Sequence, residues 1–276
     1  MKAISIIAAK ELRDGLRNRW ILATSLLLAA LALSLAFLGS APVGQIGASR
    51  LSITIVSLAS LTIFLGPLIA LMLSYDAIVG DVERGTLQLV LTYPVSHWEL
   101  IFGKFVGHFT LIGIAITIGY GIAGLAIFAT GEIINNNEWV AYIALIATSI
   151  LLGAAFIAIG YLISVLVSET ATAAGIAVGV WLLFVLLYDM ALLGVIVADQ
   201  GENMRAGTFN LLLMANPTDA FRIFNLTGFD TSSSLAGMAA VAGKAVLPTY
   251  VALIALVFWI VAPLGLAGAI FSRREI

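Results

Sequence analysis

The chain contains no cysteine, which excludes disulfides, thiolate metal sites and thiol nucleophiles and leaves the redox compartment unread. Its two histidines and six methionines are scattered. Copper would want clustered Cys, Met or His, and Met190, Met204, Met214 and Met238 do not form such a set, so no metal site is expected. Charge is scarce too: charged residues make up 10% of the 276, against 62% apolar. Soluble domains sit nearer ~25% charged and ~45–50% apolar. Mean hydropathy is +1.12, which excludes an ordinary soluble fold. The Gly103-Lys104 pair is followed by Phe105 and lacks the upstream glycine of a P-loop. The chain thus carries no nucleotide site or cofactor of its own, and no nucleic-acid partner is expected.

What remains is an all-α membrane protein in one domain, 1–276. A span needs about 20 apolar residues to cross ~30 Å of hydrocarbon. Six stretches qualify: 20–39, 53–75, 105–129, 140–167, 172–197 and 248–271. A cleaved signal peptide is the rival reading of the first, since Gly39-Ser40-Ala41 resembles a cleavage site; its apolar run exceeds the ~7–15 residues of a signal core.

Basic residues set orientation. With the N-terminus inside, the inner side holds Lys2, Lys10, Arg13, Arg17, Arg19, Arg84, Lys104, Arg273 and Arg274. The outer side holds Arg50, Arg205, Arg222 and Lys244. Both termini are therefore expected in the cytoplasm. Residues 1–19 read as an amphipathic helix on the inner leaflet, with Ile4, Ile7, Ala8, Glu11 and Leu12 at helical spacing; a plain charged flank is the alternative. Trp20 and Trp139 suit interfacial anchors. The second inner loop, at Ser168, Glu169 and Thr170, is short.

The last outer loop, 198–247, contains a helix start. Asn216 fits the N-cap, Pro217 the first helical position, and Asp219 can reach back to free amides. The helix should carry Phe221, Arg222, Phe224 and Leu226 and stop near Gly228, either dipping into the outer interface or lying in solvent. Thr231 to Ser234 reads as a flexible tip.

The polar stretch 83–104, ERGTLQLVLTYPVSHWELIFGK, interrupts the apolar pattern on the inner side. Pro94 divides it into two helices. The first starts near Thr86 and aligns Leu87, Val90 and Leu91. The second starts at Ser96, with Glu99 three residues on in a capping box, and runs through Trp98, Leu100, Ile101 and Phe102 into the third span. It is either a lever or a connector that only closes the fold.

Small residues recur at four-residue intervals: Gly103 and Gly107, Gly160, Ser164 and Ser168, and Ala171, Gly175 and Gly179. Such faces let helices approach closely, within one chain or between two. Asp189, beside Tyr188, falls in an apolar run, where a carboxylate costs about 2.5–3.5 kcal/mol or more at the bilayer centre. It is either functional or already at the interface, if the span ends near Leu187. His108 reads as a buried or interfacial hydrogen-bonder rather than a ligand, His97 as exposed, and Ser57 and Ser60 as interhelical glue rather than the lining of a path.

Glu83-Arg84-Gly85-Thr86-Leu87, then Thr92-Tyr93-Pro94-Val95-Ser96, Glu99 and Gly103-Lys104 resemble the cytoplasmic loop of ABC-2-type permeases. The resemblance covers the whole chain. It implies a type V exporter-like domain of six spans, with a coupling helix in segment 76–104 and short outer-leaflet helices in the last loop. It also implies a homodimer and two cytoplasmic P-loop ATPase subunits that hold the ATP and Mg. KELRDGLRNRW at 10–20, SYDAIVGDVERGTL at 74–87 and NPTDAFRIFNL at 216–226 narrow it to a branch serving the copper-sulfur site of nitrous oxide reductase. That branch implies a periplasmic repeat protein as partner, and either export of a sulfur species or a mechanical signal as output. The rivals are a secondary carrier using Asp189, for which no internal repeat is seen, and an intramembrane enzyme, for which no nucleophile-base pair is seen.

Overall fold

The computed structural model describes residues 2–17, 20–38, 49–131, 134–199, 206–227 and 248–273. Among them every regular element is helical, as hydrocarbon requires: a helix satisfies its own N–H and C=O groups where no water can. The elements are α1 (Lys2–Arg17), α2 (Trp20–Leu38), α3 (Arg50–Ser74), α4 (Val79–Glu83), α5 (Thr86–Leu91) and α6 (His97–Ala129). Then come α7 (Asn136–Leu166), α8 (Thr170–Leu182), a π-helical turn (Leu183–Leu187) and α9 (Tyr188–Asp199). The chain closes with α10 (Ala206–Met214), α11 (Pro217–Thr227) and α12 (Thr249–Phe271).

Among the described residues, five helical runs are long and apolar enough to cross a membrane: Arg50–Glu83, His97–Ala129, Asn136–Leu166, Thr170–Val195 and Thr249–Phe271. The helix α2 has 19 residues, and its described apolar stretch, Leu26–Leu35, falls short of that length. Helix starts follow local chemistry. The hydroxyl of Ser49 accepts from the Ser52 amide, and the side-chain Oδ1 of Asn135 from the Asn137 amide. Both halves of the Ser96–Glu99 capping box are formed, at 3.1 and 3.2 Å. Gly131, at φ 72°, ends α6 in the left-handed region that glycine enters without strain.

Helix α7 is the centre of the bundle. In its apolar stretch 67% of residues are buried, against 11% for α8–α9. Two small-residue faces foreseen in the sequence are consumed inside the chain. A Cβ on Gly103 would lie 2.8 Å from the Cβ of Ile7, and one on Gly107 2.6 Å from that of Glu11; α1 packs there. A Cβ on Gly160 would sit 2.0 Å from Ser74 Oγ, so only glycine lets α7 meet the end of α3. One turn on, the Ser164 hydroxyl accepts the Ile78 and Val79 amides at 2.9 and 3.0 Å. These amides lie at the start of α4, where helix donors have no partner of their own.

Ser60 does not act between helices as expected: it is exposed and bonds its own helix at the Val56 carbonyl. That part falls to Thr62, whose hydroxyl meets the Tyr120 hydroxyl at 2.6 Å, while Tyr142 donates to the Tyr120 carbonyl at 2.7 Å. Much of the last loop, including Thr231 to Ser234, lies outside the described residues, as does the side chain of Trp20. Trp139 packs edge-on against Phe128 and Tyr142 near the start of α7.

Candidate functional site

Two polar clusters stand at opposite ends of this bundle. The first is the elbow between α3 and α6. Lys104 is 6% exposed, although its sequence position reads as a solvated flank. Its ammonium is 2.9 Å from Glu11 on α1 and 2.8 Å from Asp81 on α4. Asp81 in turn receives Arg84 at 3.1 Å and the Thr86 hydroxyl at 3.1 Å. On the other side Lys10 lies 3.2 Å from both Glu11 and Asp14. The result is an alternating chain, Asp14, Lys10, Glu11, Lys104, Asp81 and Arg84, that ties α1, α6 and α4 together. Burial would raise the Glu11 carboxyl; the Lys104 charge and hydrogen bond outweigh this and hold it below the usual carboxylate range. His108 extends the cluster to α7 through a 2.9 Å bond to the Tyr161 hydroxyl.

The residues of the polar stretch divide into inward and outward sets. Leu87 is 1% exposed and Val90 is half-buried against the core; the side chain of Leu91 is not among those described. Glu83 stays exposed but reaches across to α8: its carboxylate accepts the Thr170 amide at 2.7 Å and the Thr170 hydroxyl at 2.5 Å, and so caps the first turn of α8. Gly85, at φ 68°, makes the reversal between α4 and α5. Pro94 is exposed beyond the end of α5. Leu89 and Tyr93, one helical turn apart, are 67% and 70% exposed. They form an apolar pair on the surface of the elbow.

The second cluster surrounds the π-helical turn. There the Tyr188 amide reaches back five residues to the Leu183 carbonyl. The Phe184 carbonyl accepts instead from Asn216 Nδ2 at 2.9 Å and the Thr218 hydroxyl at 3.3 Å. Asn216 also caps α11, its Oδ1 taking the Thr218 amide, and Pro217 opens that helix as expected. Asp219 goes to Arg222 at 2.9 Å and to the Asn216 side-chain amide at 3.1 Å. Arg222 bridges across to Asp189 at 2.8 Å. Asp189 is therefore inside a helix that continues to Asp199, ten residues further on, and it is paired. Burial first, and the nearby Asp189 charge second, push the Asp219 carboxyl up to about 7 despite Arg222.

Neither Glu11, Asp81 nor Lys104 stands out as a site in the sequence. Their charges sit on three separated elements, and only the close approach of α1 at Gly103 and Gly107 brings them together. Among the described residues no group of three or more His, Cys, Asp or Glu could hold a metal ion.

Residues 5–276 match the model of the ABC-2 family transporter proteins. The chain belongs to that family. It is thus the permease, the non-catalytic membrane subunit of an ABC transporter, and a multi-pass membrane protein. It is 46% identical over 276 residues to the probable ABC transporter permease protein NosY of Stutzerimonas stutzeri, covering 99% of both chains. It is 44% identical over 277 residues to that of Pseudomonas aeruginosa PAO1, covering 100% of both. As an ABC-2 permease of NosY type, it carries its Glu83–Thr170 contact at the start of the α8–α9 span and its Asp189–Arg222 contact in the second half of that span.

Proposed function

We propose that this permease couples ATP hydrolysis, by two NosF-like P-loop subunits holding ATP and Mg, to work at its opposite face. The elbow 76–104 is the docking handle, with Leu89 and Tyr93 as its contact pair. The observation that carries this reading is the division of the elbow. One side is tied to neighbouring helices, in the interior by Asp81 and Lys104 and at the surface by Glu83, while the other exposes two large apolar side chains. A push on such a part moves the bundle and not the loop alone.

The orientation follows the basic residues, with both termini cytoplasmic and α2 as the sixth span in a bacterial inner membrane. Two copies make the transporter. The similarity to NosY supports service in assembling the copper-sulfur site of nitrous oxide reductase, with a NosD-like periplasmic repeat protein gripped by the outer loops. Export of a sulfur species and mechanical signalling to that partner both fit an outer face built from α10 and α11. A carrier that shuttles protons on Asp189 alone is disfavoured, because Arg222 already compensates that carboxylate.

The test is replacement of the exposed pair, Leu89→Ala with Tyr93→Ala. The ATPase subunit should co-purify at least tenfold less well, with insertion and expression of the permease unchanged. Undiminished co-purification would refute the docking assignment.

A further inference from the structure

The span α8–α9 is the most weakly embedded of the five long apolar runs, 11% buried where the others are 33–67%. Its polar attachments are few and sit at defined heights. At its base Glu83 holds both the amide and the hydroxyl of Thr170. Midway, Trp181 donates to the Phe64 carbonyl at 2.9 Å, in the turn of α3 ahead of Pro67. Above that, contacts pass to the loop helices: Asn216 and Thr218 on the Phe184 carbonyl, Tyr188 to the Leu212 carbonyl at 2.6 Å, and Asp189 to Arg222. Each end of the span is thus tied by hydrogen bonds to a part that works at that end.

A π-turn contains one residue more than the α-helix around it needs, and helices commonly bend or shift register at such points. Here the carbonyl that the turn leaves without its usual partner is the one held by α11. A displacement of α8 along or about its axis must therefore either drag Asn216 and Thr218 or break those two bonds. The other route out of the elbow, Asp81 to Lys104, leads to α6, which packs closely against α1, α2 and α7. Within one copy, that route meets a well-supported helix, whereas the Glu83 route meets one that its own chain supports loosely. The same force produces the larger movement along the second.

We infer that Glu83 is the positioning residue that passes the elbow's movement to α8–α9, and that Asn216 and Thr218, on the Phe184 carbonyl, deliver it to α10–α11. Glu83 acts through Thr170, and the docking contact is left to Leu89 and Tyr93. The inference rests on the coupling function proposed above and goes beyond it by naming the span that moves and its two couplings.

The test uses the assembled transporter in lipid vesicles and follows hydrogen exchange of residues 206–227 with and without ATP. In the parental complex ATP changes that exchange. Thr170→Val, which removes one hydroxyl at the base of α8, and Glu83→Ala should reduce the ATP-induced change at least threefold, with the ATPase subunit still bound and hydrolysing. Thr170→Ser should restore it, and Thr218→Val should weaken it from the other end. Persistence of the full change in both Thr170→Val and Glu83→Ala would overturn the inference. So would loss of the ATPase subunit from those variants, which would make Glu83 a docking residue. A parental complex with no bound ATPase and no response to ATP would instead remove the coupling function itself.

Discussion

Lys104 shows how a charge in a hydrophobic helix is made tolerable. An isolated ammonium in low dielectric is prohibitive, so a buried lysine must be paired. Here two carboxylates from different elements supply the pairing, at 2.9 and 2.8 Å. Removing the lysine leaves Glu11 and Asp81 facing each other without their shared cation. Lys104→Ala is expected to cost about 3–5 kcal/mol, the usual penalty for breaking a buried pair. A fall in the melting temperature of the purified permease measures it. Lys104→Arg should retain most of the stability, since it keeps the charge. At the opposite end the arithmetic differs, because one guanidinium serves two carboxylates. Asp189 and Asp219 together bring one negative charge more than Arg222 can balance.

At the scale of the element, that imbalance makes α11 pH-dependent. The folded Asp219 carboxyl is raised to about 7 from an ordinary 3.8. A proton is therefore bound more tightly in the folded arrangement than in the unfolded one. Its stabilising contribution is fully present below about pH 4 and is lost as pH rises through about 7. The seating of α11 on the π-turn should loosen as pH rises from about 4 to about 7, detected as faster proteolysis of 206–227. Asp219→Asn should abolish the dependence, because its amide cannot titrate. The two ends of the chain's polar machinery thus respond differently to pH: Glu11 is held ionised by Lys104, whereas Asp219 changes its proton near neutrality. The elements also differ in how they recruit small residues. Gly103, Gly107 and Gly160 admit neighbours of the same chain, while a Cβ on Gly175 or Gly179 would meet nothing within 4 Å.

That open stripe matters for the whole molecule. A small-residue face on a weakly buried span lets a second backbone approach closely in lipid. The homodimer proposed above would use it. Gly175→Leu with Gly179→Leu adds bulk where a Cβ meets nothing of its own chain within 4 Å and should shift the purified permease from dimer to monomer, read by light scattering in detergent. An unchanged dimer would place the interface elsewhere.

Composition and spacing alone determined that this is a helical membrane protein and where its polar interruptions fall, because crossing hydrocarbon demands long apolar helices whatever their neighbours. Caps were legible for the same local reason: Ser96 with Glu99, and Asn216 before Pro217, satisfy donors within three residues. Which way Glu83 faces was not legible, nor was the Arg222 partner of Asp189, the α10 helix or the π-turn. Those depend on which helices meet, and a charge finds its partner across 87 or 33 residues of chain only once they do. Tertiary packing alone decided that the small faces of α6 and α7 close within one chain while that of α8 stays open.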